Sequence, residues 1–134
     1  MRIGHISFLT RVGWLTVFDE KAKIIAIEWG RVKIDSVTPL LKKTQKQLIE
    51  YFDRKRKIFS IPLNPQGTKF QQSVWHAIIK IPYGEIETYG RLAEVIGTGP
   101  RAVGNACGKN PIPLLIPCHR VIATHGALGG FSGG

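Results

Sequence analysis

Two prolines and a glycine between Ile61 and Gly67 constrain the fold more than any other feature of this sequence. The run Ile-Pro-Leu-Asn-Pro-Gln-Gly cannot continue a helix or form a central strand, because proline lacks the amide hydrogen that both structures need. It lies near the middle of a chain of 134 residues. We therefore predict two small domains, residues 1–66 with this linker at their end and residues 67–134.

Residues 1–66 carry the pattern of an α+β domain. The apolar runs 14–18 and 24–27 flank the polar stretch 19–23, which favours two strands joined by a hairpin connection. The Thr-Pro pair at 38–39 is typical of a helix start. One helical face then follows, formed by Leu40, Leu41, Thr44, Leu48, Ile49 and Phe52. The expected structure is a small antiparallel sheet with one covering helix.

Residues 67–134 carry the pattern of a mainly helical domain. Thr68, with Gln71 three residues later, predicts a capped helix start, and Pro82-Tyr83-Gly84 ends that helix. One apolar face is formed by Phe70, Val74, Ile78 and Ile81.

A second and a third helix follow in the same domain. Thr88 can cap the second helix, Gly97 can end it, and Pro100 occupies the first position of the third, which runs to Gly108. Helix, tight glycine-containing turn and helix make a helix-turn-helix, although such pairs also occur as ordinary packing motifs.

The chain is strongly basic, with a formal net charge of +10. Residues 1–66 carry 13 basic and 6 acidic side chains, against 6 and 3 in residues 67–134. A surface field of this sign favours nucleic acid or anionic membranes. No apolar run approaches the roughly eighteen residues that span a bilayer, and the N-terminus lacks a signal peptide's apolar core. We expect a cytosolic protein that does not bind membranes.

The two cysteines, Cys107 and Cys118, are expected to remain thiols in a reducing cytosol. Their spacing from His119 and His125 fits no ordinary zinc-finger pattern, so we expect no metal.

The run Ile-Pro-Cys-His-Arg-Val at 116–121 is the most informative for chemistry. It places the thiol of Cys118 next to the imidazole of His119 and the guanidinium of Arg120. A nearby cation or base favours the thiolate, which is the nucleophilic form of cysteine. Adjacent side chains on an extended chain point in opposite directions, so contact between Cys118 and His119 requires a turn or a bridging water. A buried, inert cysteine is the alternative interpretation of this pair alone.

The C-terminal domain resembles that of the O6-alkylguanine-DNA alkyltransferases, a family of DNA-repair proteins. The N-terminal domain resembles the family only in size and general pattern. The matching blocks occur in the family's order and near its spacing, and they are Gly67–Trp75, Ile81–Glu85, Thr88–Tyr89, Arg101–Gly104, Asn110–Pro113, Ile116–Val121 and Gly129–Gly134.

The resemblance implies that an alkyl group moves irreversibly from the O6 of guanine in duplex DNA to Cys118. In that mechanism His119 acts through a water as the base, and Tyr89 helps to protonate the leaving guanine. Asn110 braces the turn before the reactive segment. The reaction needs no cofactor, and we expect a monomer that reacts once.

The resemblance also assigns the residues that contact DNA and the flipped base. Arg101 enters the duplex and fills the space of the extruded guanine, while small residues let the third helix approach the minor groove. The DNA-binding set is Arg101, Ala102, Gly104, Ala106 and Arg120. The substrate pocket is formed by Pro113, Val121, Phe131 and Ser132.

The sequence departs from the family's pattern at two places. The family continues into a final helix with a glutamate that orients the histidine, whereas this sequence ends at Gly134, so that third member of the relay is not assigned. Cys107 occupies a position where the family more often has Asn or Met, and we expect it to be a small buried residue.

Three other classes of protein are alternatives to a DNA-repair alkyltransferase. Alkyltransferase-like proteins bind lesions without a nucleophilic cysteine, which Cys118 argues against. A transcriptional regulator built on the same helix pair does not need a Cys-His pair beside a glycine loop. A cysteine hydrolase needs an oxyanion hole and a third orienting residue, and the sequence identifies neither.

Overall fold

The computed structural model describes residues 2–33 and 35–123, and it divides into two compact units between Pro65 and Gln66. The first unit contains an antiparallel sheet in the order β1-β2-β3. Its strands are β1 (Gly4–Thr10), β2 (Gly13–Glu20) and β3 (Lys23–Trp29). The second unit is mainly helical, which confirms the predicted α+β class with a helical second part.

The β2–β3 hairpin is tighter than the sequence indicates. Lys21 and Ala22 alone connect the strands, and both have positive φ, 52° and 61°. Two left-handed residues match the twist of a two-residue hairpin. The prediction of a polar connection over 19–23 was therefore too long, because Asp19 and Glu20 pair with β3.

Helix α1 (Pro39–Phe52) covers the sheet as predicted. The side chain of Thr38 caps it by accepting a hydrogen bond from the Leu41 amide at 3.2 Å. The Thr38 hydroxyl also donates to the buried carboxylate of Asp19 in β2. Leu41 and Leu48 are fully buried on the inner face of α1. The capping residue thus ties the start of the helix to the strand beneath it.

Both edges of the sheet are partly covered by other backbone. Ser36 pairs with His5 beside β1, and the proline-rich segment pairs with β3 through a bridge between Ile24 and Leu63. The Ile24 amide donates to the Pro62 carbonyl at 2.9 Å. Part of the predicted linker therefore pairs with the edge of the sheet in the first unit. Proline is compatible with this position because an edge pairing does not require its missing amide hydrogen.

The second unit follows the predicted helices closely. It contains α2 (Lys69–Ile79), α3 (Tyr89–Ile96) and α4 (Pro100–Gly108). Thr68 and Gln71 form the expected capping box, Thr88 caps α3, and Gly97 ends α3 with φ 88°. Two short strands, β4 (Glu87–Thr88) and β5 (Val121–Ile122), pair in parallel beside α3.

Helix α2 holds α4 from the inside of this unit. The buried indole of Trp75 donates a hydrogen bond to the Ala106 carbonyl at 2.9 Å. Val74, Ile78 and Val103 are fully buried around it. Among the residues described, no helix is long and apolar enough to cross a membrane.

Candidate active site

A tight turn presents Cys118 at the start of a 3₁₀ turn, Cys118–Arg120. Pro117 has φ −80° and ψ 65°, and the Cys118 amide donates to the Ile116 carbonyl at 2.8 Å. These angles are those of an inverse γ-turn. Cys118 is 2% exposed. The proline before the cysteine therefore helps to fix the direction in which the sulfur enters the core.

Asn110 ties the turn to the end of α4 with its side-chain amide. Its Nδ2 donates to the Ile116 carbonyl at 2.9 Å and to Cys118 Sγ at 3.3 Å. Its Oδ1 accepts from the Ile112 amide at 2.9 Å. The predicted bracing position of Asn110 thus includes a direct donor to the sulfur, which stabilises a thiolate more than a thiol.

Cys107 lies beside Cys118 and is also a buried free thiol. The hydrogen bond between the two thiols and then burial raise the pKa of Cys118, while the Asn110 amide opposes them. The same hydrogen bond lowers the pKa of Cys107. In the protein without a ligand, Cys118 is therefore held as a protonated thiol.

The hydroxyl of Tyr89 is the buried side-chain polar atom that has no hydrogen-bond partner within the described part of the chain. Tyr89 begins α3 and is 5% exposed. Burial, followed by the nearby thiols of Cys107 and Cys118, raises its pKa to about 12. The hydroxyl is therefore a neutral donor beside the sulfur atoms with its hydrogen-bonding capacity unused.

His119 follows the cysteine within the same 3₁₀ turn and is half-buried. Burial and then the charge of Arg120 lower its pKa below the ordinary value. The imidazole is therefore neutral at neutral pH, which is the form that can accept a proton.

Arg120 makes internal contacts that the sequence did not predict, and its predicted contact with DNA stays a prediction. Its Nη1 donates to the Ile81 carbonyl at 2.7 Å, and its guanidinium lies over the Tyr83 ring at 5.7 Å from the centroid. These contacts tie the 3₁₀ turn to the end of α2, so the side chain has an internal role. Sequence reasoning missed this because Ile81 lies 39 residues away.

The residues predicted to contact DNA on α4 differ in how exposed they are. Arg101 is exposed in the first turn of the helix, and Ala102 is half-buried. A side chain at Gly104 would meet open space. Ala106 is only 2% exposed, although it also lines the groove on this helix, and its predicted contact with DNA stays a prediction. Its carbonyl accepts the Trp75 indole, which turns this position toward the core.

A groove of about 520 Å³ lies between the start of α2 and the outer face of α4. It brings Ala102 and Gly104 together with polar side chains that the sequence did not place there. The groove residues are Thr68, Phe70, Gln71, Ala102, Gly104, Asn105, Ala106, Gly108 and Lys109.

The predicted substrate pocket is described only in part. Val121 is fully buried and its backbone pairs with Glu87, while Pro113 forms a bridge with Ile116. Phe131 and Ser132 lie outside the described residues.

Both units match known families of domains. Residues 69–134 match the 6-O-methylguanine DNA methyltransferase DNA-binding domain, and residues 6–65 match the ribonuclease-like domain of the same protein. A methylated-DNA–protein-cysteine methyltransferase of Methanosarcina mazei is 42% identical, over 98% of this chain and 77% of the relative. The chain belongs to the 6-O-methylguanine DNA methyltransferase family.

Other relatives support membership of this family. The constitutive methylated-DNA–protein-cysteine methyltransferase of Bacillus subtilis is 48% identical, over 72% of this chain and 59% of the relative. A crystal structure of Mycobacterium tuberculosis OGT in complex with DNA superposes with a TM-score of 0.87 at 35% identity, covering 97% of this chain and 84% of that chain. The chain matches about three fifths of the length of the Bacillus subtilis relative.

Membership of the methyltransferase family agrees with the resemblance found in the sequence. The contact between Cys107 and Cys118 was missed. Eleven positions separate the two cysteines, and no periodic pattern joins a helix residue to a turn residue at that spacing.

Proposed function

We propose that this chain repairs DNA by moving an alkyl group from O6-alkylguanine, and from O4-alkylthymine, in duplex DNA to its own Cys118. The observation that carries the proposal is the arrangement around the buried sulfur. Asn110 donates a hydrogen bond to it, and the hydroxyl of Tyr89, which bonds to no described residue, lies close by. This set contains a nucleophile, a donor that stabilises its charge and a donor for a leaving group.

A base inside the duplex cannot reach the sulfur of a cysteine that is 2% exposed, so the alkylated base must leave the stack. Extrusion costs a few kcal/mol and is easier where the lesion weakens pairing. We assign Arg101, exposed at the start of α4, to the gap left by the base. Ala102 and Gly104 have small or no side chains beside it, which allows the helix to approach the minor groove closely.

The chemical step forms one bond and breaks one. His119, neutral because its pKa is lowered, accepts the proton of Cys118 through a water. The thiolate attacks the alkyl carbon, the carbon–O6 bond breaks, and Tyr89 donates a proton to the purine. The guanine leaves as the unmodified base, and the proton held by His119 returns through solvent to the tyrosine. The product at Cys118 is a thioether, which no group in the set cleaves, so each molecule reacts once.

The raised pKa of Cys118 fits a nucleophile that is activated late. A thiol is a much weaker nucleophile than a thiolate, so a protonated Cys118 reacts more slowly with other electrophiles before a substrate binds. His119 removes the proton through the bridging water as the alkyl group transfers. A lesion-binding protein without transfer is the alternative, and it needs no thiol at this position.

The same reasoning supports the choice of partner and compartment. Duplex DNA is the partner, and the reaction of one molecule with one lesion requires only a monomer. Both cysteines are free thiols, as in the reducing cytoplasm, where we place the protein.

Intact mass before and after incubation with duplex O6-methylguanine DNA tests the proposal. The protein should gain the mass of one methylene group. Trypsin cleaves after Arg101, Lys109 and Arg120, so the peptides 102–109 and 110–120 separate Cys107 from Cys118. The methylene belongs on the second peptide.

Cysteine variants provide the matched control. Cys118→Ala should bind DNA and gain no mass, whereas Cys107→Ser should still gain the methylene. A methyl group on the 102–109 peptide, or many lesions repaired by each molecule, would contradict the mechanism.

A further inference from the structure

The proposed alkyl transfer leaves one buried nucleophilic group without a function. Cys107 lies in the last turn of α4 and is 3% exposed, beside a reactive cysteine that is 2% exposed. A small apolar residue would fill this space equally well, and alkyl transfer needs only one sulfur. A second thiol in contact with the first therefore provides chemistry that packing does not require.

Asn110 and the coupling of the two thiols place both sulfurs in one site. Each thiol shifts the pKa of the other. Asn110 connects the segments that carry them, since its backbone amide donates to the Cys107 carbonyl at 3.2 Å and its Nδ2 donates to Cys118 Sγ at 3.3 Å. Both cysteines also help to raise the pKa of the nearby Tyr89 hydroxyl. The helix end and the 3₁₀ turn thus hold both thiols in one buried site.

We propose that Cys107 and Cys118 form a reversible disulfide when a hydroperoxide enters the site, and that this bond protects the alkyl acceptor from irreversible oxidation. The protective role rests on the proposed alkyl transfer, but formation of the bond does not.

The oxidation balances with hydrogen peroxide as the two-electron oxidant. One cysteine thiolate attacks a peroxide oxygen, the O–O bond breaks, and the sulfur becomes a sulfenic acid while hydroxide leaves and is protonated to water. The second thiolate attacks that sulfur, the S–O bond breaks, a second water leaves, and the disulfide forms. Two thiols and one peroxide give one disulfide and two waters. A dithiol reductant restores both thiols by exchange.

The benefit of the disulfide follows from the fact that each molecule has one acceptor cysteine, which reacts once. A sulfenic acid at Cys118 without a neighbouring thiol can be oxidised further to sulfinic acid, which ordinary thiols do not reverse. A protein that has one acceptor sulfur loses its whole capacity in that step. Capture by Cys107 stops the oxidation at a state that a reductant reverses.

The test uses the full chain, treated with hydrogen peroxide in the absence of DNA and then alkylated to block free thiols. The intact mass should fall by two hydrogens, and the peptides 102–109 and 110–120 should be joined by a bond that dithiothreitol breaks. The treated protein should lose alkyl transfer and regain it after reduction. Mass alone detects the disulfide, so a failure of the proposed repair function would not hide it.

Variants at position 107 provide the matched control. Cys107→Ser should acquire sulfinic acid at Cys118 under the same treatment, and dithiothreitol should not restore its transfer relative to its own untreated sample. If Cys107→Ser fails to fold, Cys107→Ala serves the same purpose, and the wild-type peptide map decides on its own. Oxygen added to Cys118 of the wild type while Cys107 stays a free thiol would overturn the proposal, as would a disulfide between two chains.

Discussion

The two units treat buried polar groups differently. Within the described residues of the first unit, every buried polar side chain has a partner: Thr16 with Gly30, Asp19 with Thr38, Thr44 with Leu40 and Gln47 with Ser60. Among the described residues of the second unit, the hydroxyl of Tyr89 has none. A buried polar atom without a partner costs about 1–3 kcal/mol. The first unit is thus built for stability, while the second retains a donor for a ligand.

The largest expected difference is between Asn110→Ala, which should lower both stability and the transfer rate, and Gln47→Ala, which should lower stability alone. Asn110→Ala removes three hydrogen bonds, and at about 1 kcal/mol each the free energy of unfolding should fall by about 2–4 kcal/mol. Transfer should slow by about 10–100-fold, because a hydrogen bond to a charged group contributes about 1.5–3 kcal/mol. Denaturant unfolding and single-turnover kinetics measure both effects.

Gln47→Ala is the matched change in the first unit. It removes two hydrogen bonds to Ser60 and should lower the free energy of unfolding by about 2 kcal/mol. The folded variant should transfer alkyl groups at the wild-type rate. Equal slowing in both variants would show that the units do not divide these roles.

Tyr89→Phe should reduce activity without reducing stability. The lost hydroxyl has no hydrogen-bond partner among residues 2–33 and 35–123, so the free energy of unfolding should stay the same or rise. Transfer should slow about 10–100-fold with duplex DNA and also with free O6-benzylguanine, since both leaving purines need a proton. Tyr51→Phe, in the first unit, should leave both rates unchanged. A destabilised Tyr89→Phe protein would mean that the hydroxyl has a structural partner.

Arg101→Ala should slow repair of duplex DNA by about ten-fold, because an inserted side chain offsets part of the cost of unstacking. Reaction with free O6-benzylguanine, which needs no extrusion, should keep its rate. Arg91→Ala, on neighbouring α3 where the side chain pairs with Glu94, is the control for lost charge. An equal loss for Arg101→Ala on both substrates would make Arg101 a part of the pocket.

The smallest expected effect is the pH dependence from His119. Its lowered pKa keeps it neutral below the ordinary value near 6.5, so the transfer rate should hold until the pH falls under that value. The unfolded chain then binds a proton that the folded chain does not, and stability should decrease as pH falls through this window. His119→Asn should remove that part of the slope. An unchanged slope would assign it to other groups.

Local signals account for the parts of the fold that the sequence predicts well. Thr38, Thr68 and Thr88 cap helices because their oxygens bond amides only a few residues away. β1 was not located, and the pairing of Ile24 with Leu63 spans 39 positions. Local patterns do not encode such distant pairing.

The same distinction holds at the site. The resemblance to the family assigned Cys118, His119, Tyr89 and Asn110 to one site. The structure brings Asn110 and Tyr89 close to the sulfur of Cys118. The positive φ of Leu114, 74°, has no sequence signal, because left-handed backbone is uncommon outside glycine and asparagine.

The bond between Trp75 and Ala106 makes the indole a natural optical reporter. Trp75 is 1% exposed, whereas Trp29 in the first unit is 49% exposed and Trp14 is half-buried. A buried indole emits at shorter wavelength and is shielded from collisional quenchers. The tryptophan fluorescence of the two units should therefore differ in emission wavelength and in accessibility to quenchers. Because the indole holds the carbonyl of α4 directly, a shift of that helix on DNA should appear in the blue, unquenched part of the emission.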